Sequence, residues 1–448
     1  MSRPPQSLSD RSMALGLRAL NRFAGSSVVD RFGLRDQAER FLYGASKTTV
    51  RTAASAGRTF AAAQKLARPA RQPTTPPTGL FDLTPSDEQR MLSESVRDFA
   101  LARLRPAALE ADSACQAPPD LLGQSDDLGL TMIGVPEELG GAVSERSAVT
   151  AVLMSEALAH GDMGLAVACL APAAVSTALS LWGDEDQQAT YLPEFVGEQI
   201  PAASLAVLEP RVLFNPFKLE TRARRANGGY VLSGVKSLVP RAADGELFIV
   251  AAMLEGRGPA LFIVERAGVP VAAGGISVEP EPAMGIRAAT TGRLTFEEVA
   301  LPAGALIADG RAEVYSECIR LGRIAWSALA VGTGQAVLDY VIPYVKERIA
   351  FGEPIANRQA VAFAVSNIAI ELDGIRLATY RAASRADQGK SFAREAALAR
   401  RLASEHGMSI GSEGVQLLGG HGYVKEHPVE RWYRDLRAAG VMEGALLV

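Results

Sequence analysis

The hydrophobic period changes twice along this chain, and that change constrains the fold more than any other feature. From about residue 85 to 195 apolar residues recur at steps of three and four. Leu92, Val96 and Phe99 share one face of a predicted helix, introduced by Ser86 with Gln89 three residues later, a capping box. GLTMIGVPEELGG (129–141) and Pro172 are predicted to interrupt this region. Near residue 200 the texture shifts to short apolar or alternating runs (YVLSGVK, LFIVAAML, PALFIVERA and GRLTFEEVAL) separated by Gly, Pro and Asp, which read as β-strands at hairpin-like spacing. From about 313 the helical period returns. Val365, Ile368, Leu372 and Ile375 fall on one face, and a run over 391–418 stops at Gly419–Gly420. Helical, then β, then helical predicts an α+β chain of separate units.

At 448 residues the chain has room for about two to four units. Apolar residues at 48% and charged residues at 21% exclude a largely disordered protein. No long run is continuously apolar, so no membrane-spanning helix is expected. Cys115, Cys169 and Cys318 lie far apart, which argues against a disulfide framework and for a reducing compartment. His421 and His427 lack the context of a metal site, and none is expected. Charge is unevenly placed: residues 1–71 hold 13 basic against 4 acidic residues (+9), the remainder 33 against 46 (−13). A basic arm on an acidic body points to a surface, a partner or an import signal.

Within that arm Leu15, Leu17, Leu20 and Phe23 have roughly helical spacing, with Arg18 and Arg22 between them. Phe32, Leu34, Phe41 and Leu42 look like packing positions. The plain reading is a helical extension that packs on the body. Membrane-surface or partner contact by residues 1–70, and targeting, are the alternatives. No stacking aromatics accompany the arginines, so nucleic acid is not an expected partner. RPARQPTTPPT (68–78) is a linker. The expected units are 1–79, 80–198, 199–312 and 313–448.

The sharpest motif is QLLGGHGYVKEHPVERWYRDLRAAGVMEG (416–444). Gly419, Gly420 and Gly422 permit close backbone approach to a ligand, Gln416 supplies a donor and an acceptor, and Glu430, Arg431, Arg434 and Asp435 can pair across helical turns. Taken alone, a glycine-rich helix–helix turn explains the same residues. The segment resembles the C-terminal signature of the acyl-CoA dehydrogenase family at Gln416, Gly419, Gly420, Gly422, Tyr423, Glu426, Arg431 and Asp435. LTPSDEQRMLSESVRDFA and GLTMIGVPEELGG resemble the family's first helical domain, and KERIAFGEPIANRQAVAF (346–363) its flavin-contacting helix pair.

The resemblance covers about residues 80–448. It implies an N-terminal α-helical domain, a central β-sheet domain and a C-terminal four-helix bundle, assembled as a homodimer or homotetramer. It also implies FAD-dependent α,β-dehydrogenation of an acyl-CoA thioester, with electron-transfer flavoprotein as the usual acceptor. Glu443 stands at the place of the catalytic base and Arg323 at that of a CoA-contacting arginine. Arg348 and Phe351 match a motif that meets the FAD pyrophosphate from a neighbouring subunit. Gln359 matches the glutamine downstream of that motif, and Gln416, Gly419 and Gly420 match contacts to the adenosine end. The composition suits a bacterial cytoplasmic protein, or the mitochondrial matrix if the source is eukaryotic.

The departures from the family pattern have an order of their own. Leu208 replaces a Thr that bonds flavin, and Leu213, Phe214 and Asn215 stand near a G-S-D motif. Leu238, Val239 and Pro240 occupy the place of W-I-T, Ala350 that of a Thr, and Ala445 that of the Thr after E-G. Contacts to the adenosine half are kept and contacts to the flavin ring are lost. At about 0.5–1.5 kcal/mol per hydrogen bond, the losses predict flavin affinity lower by roughly two to four decades. Two other readings therefore stand beside a dehydrogenase: a non-catalytic or half-site subunit of a hetero-oligomer with a related chain, and an adaptor that uses the basic arm.

Overall fold

The computed structural model describes residues 83–444, apart from 134, 142–146, 198 and 268–274, together with Leu447. The arm and linker expected over 1–79 lie outside the described residues, as does Ala445. Phe81–Val448 forms one compact unit.

Helix α1 (Asp87–Phe99) starts where the capping box predicts. Ser86 Oγ accepts from Gln89 N at 3.1 Å, and Gln89 Oε1 accepts from Ser86 N at 3.0 Å. Val96 is buried, with Leu92 and Phe99 packed beside it. A π-turn (Ala100–Leu104) leads into α2 (Arg105–Ala114), followed by α3 (Pro119–Asp126) and two 3-10 turns at Leu130–Met132 and Glu137–Leu139, the expected interruption. Then come α4 (Ala148–Gly161), α5 (Met163–Trp182) and α6 (Glu185–Tyr191).

Pro172 does not break α5, contrary to expectation. The helix is enclosed along nearly its whole length, and tertiary burial outweighs the lost backbone bond. Its length and composition would suffice to cross a membrane, but 89% of its apolar window is buried inside the protein, as a core helix requires.

The β unit is one seven-stranded sheet: β1 (Ala203–Ala206), β2 (Arg222–Ala226), β3 (Gly229–Val239), β4 (Leu247–Leu254), β5 (Gly258–Glu265), β6 (Gly275–Pro280) and β7 (Gly292–Leu301). β1 and β2 run parallel to successive parts of β4, while β3–β7–β6 and β4–β5 are antiparallel. The four runs recognised in the sequence are β3, β4, β5 and β7. β2 (RARRA) carries no apolar alternation, because only Ala223 faces inward, and so escapes a hydrophobic reading.

The C-terminal region contains α7 (Ala312–Glu347), a small hairpin of β8 (Ile349–Ala350) and β9 (Glu353–Pro354), α8 (Gln359–Asp387), α9 (Ala393–Leu418), α10 (Val429–Leu436) and α11 (Ala438–Val441). The long helices α7, α8 and α9 pack on one another, and α4 packs on α7 and α8, so the N-terminal region supplies a fourth wall of the bundle. Ile368, Leu372 and Ile375 are buried, as their spacing predicts.

Short α10 ties the three regions together. Arg434 makes two bonds to Asp112 on α2, at 2.9 and 2.8 Å, and Arg431 Nε meets Asp162 at 2.9 Å. Asp435 Oδ1 accepts from Ile286 N, in the β unit, at 2.6 Å. Of the pairings expected within the helix, Arg434–Glu430 forms at 2.9 Å. Arg431 and Asp435 reach outward instead, because each is buried and needs a partner from the element it packs against.

Candidate functional site

Arg323, on α7, and Glu443, just past α11, are brought together by the packing of the C-terminal segment across the bundle. Arg323 Nε donates to Glu443 Oε2 and Nη2 to Oε1, both at 3.0 Å, in a bidentate pair. Glu443 is only 7% exposed. A second guanidinium reaches the same carboxylate: Arg400 Nη2 lies 3.2 Å from Oε1. Arg400 also donates from Nη1 to Met442 O at 2.6 Å and from Nη2 to Gly440 O at 3.2 Å. Burial lowers the proton affinity of Arg400, and the Glu443 carboxylate opposes that effect.

The segment lies close to α9 at Gly440, where a Cβ would stand 2.5 Å from Ser404 Oγ. Arg400 was not singled out in the sequence, although a signal exists. It sits on the apolar stripe Ala396, Ala399, Ala403, Gly407 of α9, where a solvent-facing arginine has no reason to be.

Met442, the residue before Glu443, lines a cavity of about 440 Å³ between the β unit and the bundle, whose other walls include Leu238, Met284, Met408, Arg437 and Val441. Glu443 lies one residue beyond the Met442 wall. Leu238 stands in the left-handed region (φ 50), with its N–H donated to Glu281 Oε2 at 2.8 Å. Burial alone would raise Glu281, but this bond and those from Arg293 and Ser237 hold its carboxyl below the usual range. Arg437 donates from Nη2 to Tyr433 OH at 2.7 Å. Its Nε is buried with no hydrogen-bond partner, an orphaned donor in an apolar surround.

The other expected residues gather at the far end of α7. Arg348 N donates to Tyr344 O at 2.8 Å, and Tyr344 OH meets His421 Nδ1 at 2.9 Å, so the β8–β9 hairpin and the glycine turn share one anchor. Phe351 (φ 56) and Gly352 (φ 85) both have positive φ, as a two-residue type I′ turn requires, and Phe351 is held 94% exposed at its tip. Arg348, Gln359, Gln416, Gly419 and Gly420 are also exposed. A Cβ at Gly419 or Gly420 would meet nothing within 4 Å, so the space outside the turn is open.

The residues thus gather at two places along α7, Glu443 at Arg323 and the exposed set near its C-terminal end. At about 1.5 Å per residue, the stretch of α7 from Arg323 to Glu347 is about 36 Å long. That is further than one dinucleotide spans.

The residues present fit FAD. The exposed set offers a guanidinium, carboxamides and open glycine backbone to a nucleotide diphosphate. The cavity offers apolar walls to a planar heteroaromatic ring.

Family models described as acyl-CoA dehydrogenase N-terminal, middle and C-terminal domains match residues 86–199, 204–299 and 312–446. The rat mitochondrial short/branched chain specific acyl-CoA dehydrogenase is 33% identical over 366 residues, covering 80% of this chain and 83% of the rat protein. The structure of butyryl-CoA dehydrogenase from Megasphaera elsdenii superposes with a TM-score of 0.74 at 28% identity, over 81% of this chain and 95% of that one. The FAD complex of PigA superposes with a TM-score of 0.73 at 25% identity, over 81% and 95%.

Proposed function

The chain belongs to the acyl-CoA dehydrogenase family of flavoprotein oxidoreductases, and from that premise we propose that it dehydrogenates an acyl-CoA thioester with Glu443 as the base. The observation that carries this reading is a buried carboxylate, fixed by a rigid arginine fork, one residue from the Met442 wall of an apolar cavity. An α-proton next to a thioester is only weakly acidic. Its base must be desolvated and aligned before reaction, and Glu443 is both. FAD, when bound, supplies the acceptor for the β-hydrogen and its electron pair.

Residues of this chain would hold the cofactor in two places. Arg437, Leu238 and Met442 would border the ring, and Arg348, Phe351, Gln359, Gln416, Gly419 and Gly420 the nucleotide. The length of α7 between the two sets means that one chain cannot apply both to one cofactor. A second subunit would complete each site. The outer face of α8 supports an assembly: Phe363, Ile370 and Leu377 recur every seven residues at 58%, 69% and 57% exposure.

The lost ring-side hydroxyls favour a second reading, in which a related but different chain supplies the partner half. Leu208 is buried and offers the ring no hydrogen bond. Expression of the chain alone separates the readings. Bound FAD, an oligomer and conversion of acyl-CoA to enoyl-CoA support the homo-oligomeric enzyme. A FAD-free chain that acquires flavin only with a co-purifying related subunit supports the half-site reading. An electron-transfer flavoprotein is the acceptor to supply in that assay.

A further inference from the structure

We propose that Arg400 is a positioning residue for proton transfer at Glu443, holding the carboxylate by Oε1 so that Oε2 receives the α-proton. The inference rests on the reading of Glu443 as the base. Oε1 takes two contacts, from Arg323 Nη2 at 3.0 Å and Arg400 Nη2 at 3.2 Å, whereas Oε2 takes one, from Arg323 Nε at 3.0 Å. A carboxylate has about four lone-pair sites. Arg323 fills one on each oxygen, and the Arg400 guanidinium stands 3.2 Å from Oε1, which leaves Oε2 the less encumbered oxygen.

Arg323 alone cannot fix this arrangement, because a fork grips both oxygens alike. The asymmetry comes from Arg400, and Arg400 is itself fixed: its guanidinium holds the carbonyls of Gly440 and Met442 as well as the carboxylate. It thereby sets the backbone that carries Glu443 and the Val441–Met442 wall of the cavity. In the transfer, the α C–H bond breaks, its pair stays on the α-carbon and spreads onto the thioester carbonyl, and an O–H bond forms at Oε2. The Arg400 contacts, to Oε1 and to the two carbonyls, do not involve Oε2.

Proton transfer can be read without oxidation. The full-length protein is incubated in D2O with 3-thiaoctanoyl-CoA, whose sulfur at the β position permits exchange of the α-proton but no double bond. Loss of the α-proton signal is followed by NMR for the unaltered chain and for Glu443→Gln, Arg400→Met and Arg400→Lys. Thermal melting and thioester binding are measured on the same samples.

The expected result is exchange by the unaltered chain, none in Glu443→Gln, and a roughly tenfold to hundredfold loss of exchange rate at saturating thioester in Arg400→Met, larger than any loss of thioester affinity. Arg400→Lys should recover most of that loss. Should Arg400→Met fail to fold, Arg400→Gln keeps donors for the two carbonyls and takes its place. If Glu443→Gln abolishes exchange while the Arg400 variants stay within about twofold of the unaltered chain, the role of Arg400 is overturned and the base stands. If Glu443→Gln exchanges normally, or the unaltered chain does not exchange, both fall.

Discussion

Arg323 and Glu443 stand 120 positions apart and meet in two parallel hydrogen bonds of 3.0 Å, on a carboxylate that a second arginine, Arg400, also holds. Such a pair is worth little over a well-packed apolar substitute, but breaking it leaves a buried charge exposed to a poor solvent. Arg323→Met is expected to cost about 2 kcal/mol in urea denaturation, less than a wholly buried pair because Arg400 remains. Arg323→Met/Glu443→Met should cost less than the two single changes together, a coupling that a double-mutant cycle reads directly.

The pH dependence of stability should reveal Asp435. Burial, and then the neighbouring Asp162, push its carboxyl up to about 8, against about 3.9 in an unfolded chain. The folded state therefore holds a proton that the unfolded state has released, and stability falls as pH rises toward 8. Below about 6.5 the effect is opposed by His160, which burial pushes down to about 4 and which costs stability as the solution becomes acid. The window from about 6.5 to 8 belongs to Asp435 together with its neighbour Asp162, whose carboxyl burial also raises. There Asp435→Asn, which keeps the acceptor for Ile286 N, should flatten the fall in unfolding free energy. An unchanged slope would refute the assignment.

Arg437 offers a different separation of roles. Its Nε is buried without a partner, and such a group costs about 1–3 kcal/mol. Arg437→Met should leave melting unchanged or raised in the cofactor-free protein. The same change should weaken FAD binding in a fluorescence titration, because it reshapes the wall of the cavity that Arg437 lines. Equal affinity in both proteins would remove Arg437 from the ring site.

The glycine turn makes a paired prediction. A Cβ at Gly422 would lie 2.2 Å from Val415 O, whereas one at Gly420 meets nothing within 4 Å. Gly422→Ala should destabilise the fold by roughly 1–3 kcal/mol. Gly420→Ala should leave stability within about 0.5 kcal/mol and act only on retained FAD. A Gly420→Ala protein that binds FAD as the unaltered chain does would argue against a nucleotide at this turn.

How far the sequence speaks depends on what each residue contacts. Helix α1 and the stop of α9 were legible because caps and apolar periods are local. So were β3, β4, β5 and β7, whose apolar runs are explicit. β2 was not, since its arginines face solvent, and neither was the continuity of α5 through Pro172, which burial decides. Glu443 and Arg323 were reached through motif resemblance, but nothing in either motif says that they bind each other. Arg400 and Arg437 went unremarked because their roles arise from the fold of the 437–443 segment against α9.

The central claim is tested most directly by mixing the FAD-loaded protein with acyl-CoA thioesters of graded length, without oxygen, and following the flavin absorbance. The account predicts that at least one thioester bleaches the flavin of the unaltered chain, and that Glu443→Gln, with FAD still bound, stays oxidised. Bleaching of Glu443→Gln at the rate of the unaltered chain would contradict it, and so would a fully flavinated chain that no thioester reduces.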